Sequence, residues 1–212
     1  MNNKKLLIII GVAALLVVGG VGGFLAFNGN KGKNSSNSTQ EYAETAGKAY
    51  DEAKEKNVKE ADDPYDTKVD FEGLQATNED VYAWIRIPGT NIDYPILQNA
   101  EEADDYYLNR TMDGQTGLPG SIYTEKYNTT GFTDPVTVIY GHTLHDGTMF
   151  SELKKYKDKE FFDENRDIYI QLPGGRKKYQ IFAAVAFDDR YLMGNYAFTY
   201  DEDFNKYISE LK

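Results

Sequence analysis

The only two histidines in the chain, His142 and His145, share one short stretch, VIYGHTLHDGTMFSEL, from Val138 to Leu153. An apolar, β-branched run carries the chain to His142 just past Tyr140 and Gly141, and a helix-prone segment begins near Met149. Three chemistries fit this spacing. A histidine at the end of a buried strand is held rigidly at a loop-lined cleft, which suits a general acid or base. His142, His145 and Asp146 form a His-x-x-His-Asp run that offers two or three metal ligands. A structural histidine would simply hydrogen-bond the loop that follows the strand. The chain contains no cysteine, so it holds neither a thiolate metal site nor a thiol nucleophile. A base at His142 needs a nucleophile, and the residue types alone name none.

The elements that must position His142 are short and extended. Asn78 is placed to cap a turn, VYAWIRI alternates at period two, Pro88-Gly89 turns the chain, and IDYPILQ is extended again. Further strands are predicted at Gly120–Thr124, Val136–Tyr140, Ile168–Leu172 and Lys178–Phe187, with Pro173-Gly174-Gly175 as a hairpin turn between the last two. Helices are predicted at Met149–Tyr156 and at Asp201–Leu211, where Phe204, Tyr207, Ile208 and Leu211 share a face. Many short strands with frequent turns argue a mainly β fold, a barrel or curled sheet with peripheral helices. Seventeen tyrosines and eleven phenylalanines agree with it, since aromatics pack well on pleated surfaces. The formal net charge of −11 argues against a nucleic-acid footprint.

Ahead of the folded domain the composition changes twice. Residues 1–27 read as a short basic stub and a transmembrane anchor, because Leu6 to Phe27 is free of charge behind Lys4 and Lys5. At about 1.5 Å per helical residue that run just spans a hydrocarbon core of about 30 Å. Residues 28–69 read as a polar tether, NGNKGKNSSNSTQ, followed by an Ala/Glu/Lys-rich stalk or loosely docked helix from Glu41 to Asp63, closed by Pro64. Residues 70–212 read as the folded domain.

Within that domain three segments carry a family resemblance: YAWIRIPGTNIDYPILQ (82–98), DDYYLNRTMDGQTGLPGSIYTEKYN (104–128) and VIYGHTLHDGTMFSELKKYKDKEFFDEN (138–165). In order, and continuing through YQIFAAVAF, they resemble a class B sortase. The resemblance implies a membrane-anchored cysteine transpeptidase with a β-barrel, amino terminus inside and domain outside the cell. Its partners would be the sorting-signal peptides of surface proteins, of the N-P-x-T-N kind, and an amine of the cell-wall precursor, with no cofactor and no metal. His142 matches the family's catalytic histidine. Leu108 and Tyr140 would line the peptide groove near it, and Tyr191 and Leu192 would cover the peptide from the other side. His145 is expected to face solvent. Asp146 and Gly147 make a turn, and Thr148 would cap the helix begun by Met149.

The resemblance also implies a T-L-x-T-C segment holding the nucleophile, and a later arginine. Neither is in this sequence, and Arg166, Arg176 and Arg190 fall in earlier elements. The expectation is therefore a sortase-like barrel lacking its last strands and inactive alone, with the Val136–Tyr140 strand left with an unpaired edge. The alternative is a non-catalytic, membrane-attached protein that binds sorting peptides or another partner.

Overall fold

The computed structural model describes residues 7–12, 47–184, 196, 198 and 200–210. Nine strands are present among them: β1 (Leu7–Val12), β2 (Val58–Lys59), β3 (Lys68–Val69), β4 (Val81–Arg86), β5 (Asp93–Leu97), β6 (Ile122–Tyr123), β7 (Val136–Gly141), β8 (Asp167–Leu172) and β9 (Gly175–Gln180). Seven of them form one curled sheet in the order β1-β7-β6-β5-β4-β8-β9, while β2 and β3 pair separately. The sheet is a half-barrel of the expected mainly β kind, with few helices.

Local chemistry explains the elements. Asn78 makes the turn into β4, its Oδ1 accepting from Asp80 N (3.0 Å) and its carbonyl from Val81 N (3.1 Å). The first five residues of β4 are all buried, so this central strand is covered on both faces. Trp84 lies at its middle, fully buried, its indole N–H donating to Asp93 Oδ1 at 2.6 Å. The β8–β9 hairpin closes through Pro173-Gly174, with Leu172 opposite Gly175. That two-residue turn starts β9 three residues before the predicted Lys178, and its pairing ends at Gln180 rather than Phe187. At the end of the sheet among the described residues, β9 carries Arg176, Lys177 and Lys178 and alternates exposed and half-buried residues from Arg176 on.

One expectation ahead of the domain is corrected. The predicted membrane helix does not begin at Leu6, because Leu7–Val12 is a strand, parallel to β7 and in register from Leu7 opposite Val136 to Val12 opposite Gly141. Ile8, Ile9, Ile10 and Val12 are β-branched and stiff at χ1, and the edge of β7 offers backbone groups that need partners. The same pairing covers the β7 edge that was expected to be bare. Residues 13–27 lie outside the described residues, and no helix among the described residues is long and apolar enough to cross a membrane.

Of the two forms expected for the Ala/Glu/Lys-rich segment, the docked helix is the one found: residues 47–57 form a helix, α1, packed on the sheet. Its Tyr50 is 4% exposed and belongs to the main core, and Ala53 and Val58 pack against that core. Lys54 ties the helix to the sheet through Asp93 (2.8 Å), which Arg86 also approaches (3.8 Å). In the carboxy-terminal helix Asp201–Glu210, Tyr207 is buried and packs its ring on those of Tyr196 and Phe198. The Phe204 and Ile208 side chains and Leu211 of that predicted face lie outside what is described.

Candidate active site

His142 sits one residue past β7 and is half-buried. Gly141 brings it there: a Cβ at this position would lie 2.4 Å from Ile122 Cδ1 and 2.9 Å from Phe150 Cδ2, so a larger residue would have to push those two side chains aside. The loop after His142 is fastened at many points. Phe150 N donates to the His142 carbonyl (2.9 Å), Leu144 N to Ser151 Oγ (2.6 Å), Asn91 Nδ2 to the Gly147 carbonyl (2.6 Å), and Met149 N to Tyr94 Oη (3.2 Å). Gly147 has a φ of 87°, as the expected Asp-Gly turn requires, and His145 is exposed.

The helix after this loop differs from expectation. It is a 3-10 helix, Phe150–Lys157, followed by a short α-helix, Lys159–Glu164, which Asp158 caps through Phe161 N at 2.9 Å. Thr148 does not cap: its hydroxyl donates to Asp146 Oδ1 (2.7 Å), and Met149 stands at the cap position with a φ of 53°. The helix begins at Phe150, one residue later than expected, so Thr148 falls outside the cap position, where its hydroxyl oxygen would have to accept from the first-turn N–H groups.

The imidazole is set by one contact that the sequence does not show. His142 Nε2 lies 2.7 Å from the Leu108 carbonyl oxygen, 34 residues away in the chain. A carbonyl only accepts, so Nε2 carries the proton in the neutral ring and Nδ1 keeps its lone pair. Leu108 therefore acts through its backbone, and its side chain is partly buried beside the core. Tyr140, half-buried at the end of β7, stacks on Tyr123 with centroids 5.3 Å apart. Tyr191 and Leu192 lie outside the described residues. Among the described residues, no three histidine or acidic side chains gather as metal ligands would.

The sortase-domain family model matches residues 85–201, more than half of the chain, from β4 through His142 to the start of the last helix. The chain belongs to the sortase family. Its relatives are class B members. It is 34% identical over 139 residues to sortase B of Listeria monocytogenes, covering 66% of this chain. With sortase B of Staphylococcus aureus it shares 31% over 144 residues and 67% of its length. A crystal structure of sortase B from B. anthracis in complex with AAEK1 superposes with a TM-score of 0.63 at 27% identity, covering 81% of this chain and 80% of that one. The chain spans 56% and 57% of the length of the two curated relatives.

In this sortase, burial holds the His142 pKa below its ordinary value of 6.5, while the Leu108 hydrogen bond pulls the other way. The unfolded chain therefore binds more protons than the folded one between the lowered value and 6.5. Stability from this group is complete above about pH 6.5 and falls as pH drops through the folded pKa. Urea midpoints measured across that window should decline with falling pH, and the decline should be shallower in His142→Gln. Equal slopes would show that the ring is not desolvated.

Sequence reading missed three contributors to this site. The Leu108 carbonyl carries no residue-type signal, since every residue has one. Gly120 was read only as the first residue of the predicted strand Gly120–Thr124. Tyr50 was one of two tyrosines, with Tyr42, among small and charged residues, a weak sign of docking.

Proposed function

We propose that His142 is the acid–base group of a class B sortase reaction on an N-P-x-T-N type sorting signal. The position of the ring carries this reading: one nitrogen is fixed by Leu108, leaving the other with a lone pair at the end of a rigid strand. A thiolate adds to the threonine carbonyl carbon of the signal, the C–N bond breaks, and protonated His142 gives its proton to the leaving amine. In the second half an acceptor amine attacks the thioester, neutral His142 takes its proton, and the thiolate departs. This chain has no cysteine, so the thiol comes from outside these 212 residues. The B. anthracis relative solved with AAEK1 bound supports a ligand groove on this fold, and Tyr140 and Leu108 are the groove residues assigned here. The acceptor is a wall-precursor amine, and the place of action is the outer face of the cell membrane.

The chain alone is expected to give no turnover of a fluorogenic sorting peptide above a His142→Ala control. Turnover by this cysteine-free chain would refute thiol chemistry. In a protein that unites these residues with the thiol, His142→Ala should lower kcat by about 10²–10⁴-fold, the usual worth of a positioned acid–base group. The same lack of cysteine favours a second reading, a binding module without catalysis. Calorimetry with an N-P-x-T-N peptide addresses it: affinity that Tyr140→Ala abolishes, with no thiol-bearing counterpart in the cell, supports the module.

A further inference from the structure

The His142 ring rests on a wall built by residues 108–121. Leu108 supplies the carbonyl to Nε2, and Gly120 packs so closely that a Cβ there would stand 3.2 Å from His142 Cδ2. That wall is fastened from behind by Tyr50 of α1, while Asn78 Nδ2 holds the Met112 carbonyl at 2.9 Å. The Tyr50 hydroxyl donates to the Gly120 carbonyl at 2.7 Å, lies 2.9 Å from Ser121 Oγ, and accepts from Met112 N at 3.2 Å. Ser121 Oγ in turn reaches the Arg110 carbonyl at 2.8 Å. Two hydroxyl protons thus serve three contacts, and the hydroxyls link three points of the segment: 110, 112 and 120–121. The Tyr50 ring also packs edge-on against Tyr94 (5.7 Å, 88°), whose hydroxyl accepts from Met149 N in the loop after His142. Both chain segments that frame the imidazole therefore bear on one residue, which lies outside the span matched by the sortase-domain model.

We infer that Tyr50 is a positioning residue for His142, so that α1 is a working part of the active site and not only a link to it. Tyr50 touches no reacting atom; it acts by holding Gly120 and Leu108 against the ring. Burial keeps its phenol protonated well above the ordinary tyrosine range, so the hydroxyl remains a donor at any physiological pH. The inference rests on His142 being the acid–base group, and its test does not use turnover. Failure of one is therefore distinguishable from failure of the other.

The test is a histidine NMR titration of the full chain, with only two imidazoles to resolve and His145→Gln to identify them. No ion pair to His142 is present among the described residues, and its shift has two causes, burial and the Leu108 carbonyl. Tyr50→Phe keeps the ring and removes the hydroxyl. The His142 midpoint should then move up toward its ordinary value as the wall loosens and water reaches the imidazole. Tyr82→Phe is the control: that tyrosine is also buried and its hydroxyl hydrogen-bonded, to Thr124 at 2.7 Å, away from both His142 segments. It should lower the melting temperature without moving the midpoint. Should Tyr50→Phe fail to fold, Ser121→Ala decides, because it removes the other hydroxyl of the same link and should move His142 in the same direction. An unmoved midpoint in the folded variants overturns the inference, as does an equal movement in Tyr82→Phe.

Discussion

Replacing Gly120 with alanine should cost about 2–5 kcal/mol and displace His142 from its hydrogen bond. Gly120 has a φ of 65°, left-handed backbone that costs a residue with a Cβ roughly 1–2 kcal/mol. The added Cβ would also stand 2.2 Å from the Leu108 carbonyl oxygen and 3.0 Å from its carbon. Those are backbone atoms, so rotating a side chain cannot relieve the contact, and overpacking of this kind costs roughly 1–3 kcal/mol. The oxygen that must retreat is the acceptor for His142 Nε2, so the stability loss and the functional loss share one cause. Gly114→Ala separates the two components. Gly114 has a φ of 84° but nothing within 4 Å of its would-be Cβ, so it should show only the conformational cost. Urea denaturation of both variants gives the comparison. Equal losses would mean that the Leu108 contact is not tight, and would remove the steric argument for glycine beside His142.

Trp84→Ala should destabilise the domain by about 3–5 kcal/mol, the range for emptying a fully buried large aromatic site. Trp84 crosses the core at the middle of β4, between β5 and β8, and its indole nitrogen meets Asp93. Asp93 is itself shared with Lys54 of α1, so the tryptophan supports the joint between helix and sheet. Trp84→Phe keeps most of the volume and loses the hydrogen bond to the carboxylate, for about 1.5–3 kcal/mol. A loss under 1 kcal/mol for Trp84→Ala, read from calorimetric or urea melts, would show that this strand is not the centre of the fold.

Much of the barrel was legible because its signals are local. Period-two alternation marked β4, Pro-Gly pairs marked two turns, and the approach to His142 was a β-branched run that could only be a strand. Boundaries were less legible, for reasons visible at particular residues. β9 begins at Gly175 because a two-residue turn pairs it at once with Leu172, and a strand end depends on where its partner stops. Met149 looked like helix, but its backbone turns to a φ of 53° and the helix starts one residue later, at Phe150. The Leu6 to Phe27 run has the composition of a membrane helix and also the β-branched content of a strand. Composition could not choose at Leu7–Val12, where the open edge of β7 did.

The sequence by itself determined the family, the mainly β fold, the histidine at the end of its strand, and the lack of a thiol. Each of these is written in residue types at short spacing. Only the tertiary structure decided which imidazole nitrogen is held, by which carbonyl, and that a tyrosine from the helix ahead of the sheet fastens the wall behind it. Those contacts join residues 34 and 70 positions apart in the chain. A backbone carbonyl has no side-chain signature, and a buried hydroxyl finds its partners only when the folded path brings them within hydrogen-bond reach.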